Sequence, residues 1–211
     1  MMACECSVPN VSTHRRMSPT RTRSSRKRQI LIDKATELFS KEGYHAVGVD
    51  RIIMESGVAK MTLYNHFASK SDLVLAVLKQ REERAAESLR AFVAQYTHPL
   101  ERVEAVFLWH EAWFNEATFC GCMFINAASE FPDHADAIHR ASASQKLHVT
   151  ALLGTLLEDL FEPDMAARFA AQLLILVDGA TVTAQISGNP ASAMLAWKMA
   201  RQLLTAPTVS F

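Results

Sequence analysis

The chain has 211 residues, 49% of them hydrophobic, which is enough apolar material for one large domain or two small ones. Its formal charge is zero, yet residues 1–80 carry 13 Lys+Arg against 7 Asp+Glu and residues 81–211 carry 9 against 15, so a small basic module meets a polyanion while a larger acidic one does something else. Four cysteines in two Cys-x-Cys pairs are too few and too clustered for a secreted disulfide framework and fit a reducing cytoplasm. No run reaches the roughly 18–20 clean apolar residues of a membrane span, and the N-terminus lacks a signal peptide's apolar core.

Residues 1–26 hold Pro9, Pro19, many serines and threonines, and arginines at 15, 16, 21, 23 and 26, the composition of a disordered basic arm. Met17 is a second candidate start, which would remove Cys4 and Cys6. From Arg28 the pattern is helical. Leu31, Ala35, Leu38 and Phe39 share a face of a first helix closed by Gly43, and a second, about Val49 to Ser56, buries Ile52 and Ile53 before a turn at Gly57-Val58. A third runs from about Lys60 to Phe67, and Ser69 caps a longer one whose apolar face begins Leu73, Val74 and Val77. Beyond Pro99 the spacing predicts helices over about 100–115, from near Gly121, over 135–161 and over 164–186, with a last one after Gly188-Asn189-Pro190 to Leu204. The fold class is all-α, with an N-terminal unit of three helices over 27–75 and a C-terminal helical domain over 76–211.

Two short helices joined by a tight glycine turn form a helix-turn-helix, whose second helix enters the DNA major groove. Leu63 and Phe67, spaced i, i+4, anchor the inner face of the third helix and leave Lys60, Thr62, Tyr64, Asn65 and His66 outside. Such side chains serve phosphates and base edges: Asn65 suits adenine, Thr62 a thymine methyl, Tyr64 and His66 phosphate oxygens. Lys70, beside the next helix N-terminus, adds charge where free N–H groups already favour a phosphate.

The segments "ILIDKATELFSKEGYHAVGVDRI" and "GVAKMTLYNHFASKSDL" resemble the TetR/AcrR family of bacterial transcriptional regulators, the second matching its Gly-Val-x-x-x-x-Leu-Tyr-x-His-Phe-x-Ser-Lys-x-x-Leu pattern. The resemblance makes Lys60, Met61, Thr62, Tyr64, Asn65 and His66 the outer face of the recognition helix, with Tyr64 and Lys70 as backbone contacts. Gly48 stands where the family often opens the second helix with Ser or Thr, so Asp50 is the candidate replacement cap, and Ile53 and Ser56 replace small alanines. The arginine arm fits a supplementary DNA contact, or plain solvated disorder.

The same resemblance implies a homodimer through the two C-terminal helices, about 164–204, enclosing a pocket for a small effector that releases the protein, a repressor, from a palindromic operator. The helix "AAQLLILVDGATVTAQI" is apolar nearly all round and demands burial on several sides. Trp109, Trp113 and Phe114, with Cys122, Asn126 and Glu130 at i, i+4, i+8 and the lone Asp178, are the pocket candidates. Metal sensing by Glu130, His134, His139, His148 and Cys122, or redox sensing by Cys120 and Cys122, is the competing response. No cofactor is expected, and with no phosphate loop, nucleophile elbow or His-Glu-x-x-His motif, the residues do not assemble an enzyme.

Overall fold

Leu31, Ile32, Ala35, Leu38 and Phe39 are buried along one face of α1 (Arg23–Glu42), as their spacing requires. The computed structural model describes residues 23–205, and those residues form nine α-helices and no strand. α1 starts five residues before Arg28, so Arg23 to Arg26, expected in the arm, are helical. Arginine, lysine and serine do not break a helix, and Pro19 lies upstream of them. The rest of the arm, with Cys4, Cys6 and Met17, lies outside the described residues.

Gly43, at φ 85°, ends α1, and its N–H donates to the Phe39 carbonyl at 3.0 Å. α2 (Val49–Ser56) and α3 (Lys60–His66) follow, joined through Gly57 at φ 65°. Ser56 adds to that turn where alanine is usual: its hydroxyl donates to the Ile53 carbonyl at 3.1 Å and accepts from Val58 N–H at 3.3 Å. Ser69 caps α4 (Lys70–Val93) as read, accepting from Asp72 N–H at 3.1 Å.

α4 carries both parts of the molecule. Its first turns bury Leu73, Val74, Val77 and Leu78 against α1, and its later turns bury Arg81, Leu89 and Val93 among the C-terminal helices. The expected domain boundary at 75/76 therefore falls inside one continuous helix, and the apolar core runs unbroken from α1 to α9.

The remaining helices are α5 (Pro99–Phe114), α6 (Met123–Glu130), α7 (Ala137–Leu157), α8 (Pro163–Ser187) and α9 (Ser192–Thr205). α7 stops short of Phe161, because Leu160 and Phe161 turn back so that the Phe161 ring lies 4.8 Å from that of Phe169. Among the described residues only α8 is long and apolar enough, by length and composition, to cross a membrane. It packs on α7 and α9 but leaves Ile175 71% and Ile186 81% exposed, and α9 leaves Leu195 and Met199 outside while burying Ala193, Trp197 and Ala200. A single chain thus meets only part of the demand for burial read from the α8 sequence.

Candidate nucleic-acid interface and effector cavity

Two anchors fix the face that α3 presents. Leu63 is fully buried and Phe67, the residue closing α3, nearly so, while the Arg28 guanidinium lies 5.2 Å from the Phe67 ring centroid. Lys60, Met61, Tyr64 and Asn65 are consequently exposed, and Thr62 and His66 are half-buried at the edges of the face. Met61, 71% exposed, is an apolar side chain with no place in the core, of the kind that meets a thymine methyl.

Gly48 caps α2 by backbone alone. Asp50 does not replace the missing hydroxyl cap: its carboxylate instead accepts from Lys60 Nζ at 2.9 Å across the α2–α3 turn. That bond raises the Lys60 pKa and ties an exposed candidate DNA contact to an exposed anion. Lys70 reaches back to the His45 carbonyl at 3.4 Å, and burial lowers its pKa although Glu130 opposes the shift.

Arg81, Trp109, His110, Trp113, Cys122, Lys146 and Asp178 line a cavity of about 100 Å³ framed by α4, α5, the start of α6, α7 and α8. The Trp109 and Trp113 rings lie 5.9 Å apart, and Arg81 stacks over Trp113 at 5.4 Å. Trp109 Nε1–H donates to Ser88 at 3.1 Å. Asp178 finds its partner inside the protein: Lys146 Nζ donates to it at 2.5 Å and lies 3.9 Å from the Cys122 sulfur.

Of the seven expected pocket residues, Trp109, Trp113, Cys122 and Asp178 are in the wall; Phe114, Asn126 and Glu130 are not. Phe114 is spent on packing, its ring 5.0 Å from Phe119 and 5.9 Å from His110. Asn126 and Glu130 lie further along α6, and an eight-residue helix spans about 12 Å, so only its first turn reaches the cavity. Glu130 faces the DNA-binding end, where it accepts the backbone N–H groups of Tyr44 at 2.8 Å and His45 at 2.6 Å and meets His45 Nδ1 at 2.9 Å. Burial pushes the Glu130 carboxyl up, but those donors together outweigh it and hold the pKa below the usual range.

Sequence reasoning passed over Gln145 and Lys146, which sit on an ordinary polar stretch of α7. Only the 32-residue separation closed by the fold makes Lys146 the partner of Asp178. Three of the five proposed metal donors are engaged elsewhere, Glu130 as above, His139 Nδ1 with the Phe131 carbonyl at 2.8 Å and His148 with Glu82 at 2.6 Å, while Cys122 lies in the cavity wall and the His134 ring packs 4.4 Å from that of His139. Among the described residues no metal-holding group forms. Cys120 lies on the loop before α6 and Cys122 is the N-cap residue of that helix.

The family model described as "Bacterial regulatory proteins, tetR family" matches residues 31–77. The chain is 39% identical over 93 residues to the HTH-type transcriptional activator FasR of Mycolicibacterium smegmatis, a match covering 44% of this chain and 41% of that protein. It is 33% identical over 88 residues to the HTH-type transcriptional regulator UidR of Escherichia coli K12, covering 42% and 38%. Both matches thus span about two fifths of the relatives' own length. A solved TetR-family transcriptional regulator from Streptomyces coelicolor superimposes with a TM-score of 0.79 at 30% identity, over 85% of this chain and 95% of that one. A TetR-family regulator from Cytophaga hutchinsonii shares the fold, with a TM-score of 0.77 at 20% identity over 92% and 100%. The chain belongs to the TetR family of transcriptional regulators, DNA-binding helix-turn-helix proteins rather than enzymes.

Proposed function

We propose that a homodimer of this chain represses transcription by holding a palindromic operator, acting in the cytoplasm on the nucleoid, and lets go when a small molecule fills the cavity behind α6. The observation that carries this reading is the position of α6, which has Cys122 and Met123 in the cavity wall at one end and Glu130 on the α1–α2 turn at the other. Tyr44 reinforces the link, its buried hydroxyl donating to the Met123 carbonyl at 2.9 Å. An occupant that displaces the first turn of α6 therefore acts on the module that carries α3. A coupling of about 1–3 kcal/mol changes operator affinity roughly 5–150-fold.

Lys60, Met61, Thr62, Tyr64, Asn65 and His66 read the half-site, Gly48 brings backbone close to a phosphate, and Lys70 adds a phosphate contact. The exposed apolar stripe of Ile175 and Ile186 on α8 and Leu195 and Met199 on α9 supports a four-helix contact between two copies. Two copies are needed because half-sites lie about 34–36 Å apart or at multiples of that spacing.

Activation is the second reading, favoured by the activator named among the relatives, whose similarity covers 44% of this chain. The test is selection of bound genomic fragments by the purified protein at near-physiological salt, with Tyr64→Ala alongside. An inverted repeat enriched only by the parent protein supports the reading. A salt-sensitive smear common to both proteins overturns it. Transcription from the recovered promoter, with and without the protein, separates repression from activation.

A further inference from the structure

His110 is only 8% exposed, and its Nδ1 lies 2.7 Å from the Val106 carbonyl one turn earlier. A carbonyl only accepts, so Nδ1 carries the proton and donates, and in the neutral ring Nε2 is left as a bare acceptor. Burial keeps the ring neutral by pushing its pKa from 6.5 down to about 4, against a smaller opposing effect of the Val106 carbonyl. The ring forms part of the cavity wall, and among the described residues no group donates to Nε2. The side-chain oxygen of Gln145, buried in the same wall, also has no hydrogen-bond partner among the described residues. An acceptor without a donor is costly when buried, and two acceptors at one cavity wall suit an occupant that brings a donor.

The neighbouring donors are directed elsewhere. Trp109 Nε1–H is bonded to Ser88 at 3.1 Å, and the Lys146 ammonium to Asp178 at 2.5 Å. A donor brought by a ligand would satisfy His110. Arg81, Arg90 and Lys146 outnumber Glu82 and Asp178 along the wall, which disfavours an amine cation and favours a neutral or weakly acidic hydroxyl. Size narrows the class further. The cavity of about 100 Å³ is smaller than the roughly 150 Å³ apolar cavity known to admit benzene, so the occupant is a single ring, seated with some yielding of side chains.

Resting on the reading that this cavity is the effector site, we propose that it selects a small phenol, with the ring against Trp109 and Trp113 and the hydroxyl donating to His110 Nε2. Gln145 is the second acceptor, available to a further hydroxyl on the ring.

Calorimetric titration of the full-chain protein with p-cresol and with p-methylanisole, which keeps the ring and loses only the donor, tests the proposal. The expected result is at least about tenfold tighter binding of p-cresol, the scale of one hydrogen bond to a buried acceptor. In His110→Phe the preference disappears while p-methylanisole still binds. The parent comparison is decisive by itself should that variant not fold: equal affinity for the two ligands overturns the proposal, and so does absence of binding by both. A thermal-shift series with benzoate, benzylamine and octanoate distinguishes the failures. A shift with any of these removes the phenol and keeps the cavity as an effector site, whereas no shift with any ligand removes both.

Discussion

The Glu130 carboxylate accepts the Tyr44 backbone N–H at 2.8 Å across 86 residues of chain, joining the last turn of α6 to the turn between α1 and α2. Gly43 permits the approach: a Cβ there would lie 2.7 Å from Glu130 Oε1, and the residue already stands at φ 85°. His45 completes the clasp, its ring 4.7 Å from that of Phe131, which also meets the Tyr44 ring at 6.1 Å.

Glu130→Ala leaves the Tyr44 and His45 N–H groups without their acceptor and is expected to cost about 1–3 kcal/mol of stability. Denaturant unfolding at one fixed protomer concentration measures it. The same variant is expected to keep ligand binding in the cavity while the ligand's effect on operator affinity shrinks toward none. Full retention of that effect would remove Glu130 from the coupling.

Asp50→Asn is expected to tighten operator binding roughly two- to fivefold, the scale of an exposed ion pair that must be broken before Lys60 can meet a phosphate. Fluorescence anisotropy with a labelled operator reads this directly. In a Lys60→Met background the benefit of Asp50→Asn should largely vanish, and its persistence would mean that Asp50 acts by repelling the phosphates instead.

The buried His110 makes stability depend on pH with a definite sign. Its pKa falls from 6.5 to about 4 on folding, so the unfolded chain binds the extra proton first, and stability is lost as pH drops from about 6.5 toward 4. The loss approaches on the order of 3 kcal/mol at the lower end. His110→Phe is expected to flatten this window specifically. A wild-type and variant difference that does not change between pH 7 and 4 would contradict the burial of a neutral ring.

Ile175→Glu places a charge on the exposed stripe of α8 and is expected to shift the protein to monomer in analytical ultracentrifugation, with loss of operator binding and little change in helix content. A dimer that survives at micromolar protein would move the interface away from α8.

Periodicity and caps were readable wherever neighbours along the chain decide the outcome. The i, i+4 pair Leu63 and Phe67 set the outer face of α3 because a short helix has one buried stripe, and Ser69 capped α4 because its hydroxyl bonds locally. The start of α1 is not legible in the sequence because polar helix formers and a polar disordered arm look alike when no apolar residue marks the face. Cys122, Asn126 and Glu130 showed a different limit, since a spacing of i, i+4, i+8 places residues on one helix but does not say what lies beyond each end.

By itself the sequence determined an all-helical chain with a basic helix-turn-helix module, since those features rest on helical spacing, glycine turns and charge within short windows. The tertiary structure alone decided that Lys146 answers Asp178, that Glu130 belongs to the DNA-binding module's clasp rather than the cavity, and that His110 shares a cavity wall with Gln145 and Lys146. Such pairings join residues far apart in sequence. Burial makes an unmet charge or acceptor costly, but which distant group comes near enough to meet it is fixed only when the helices pack.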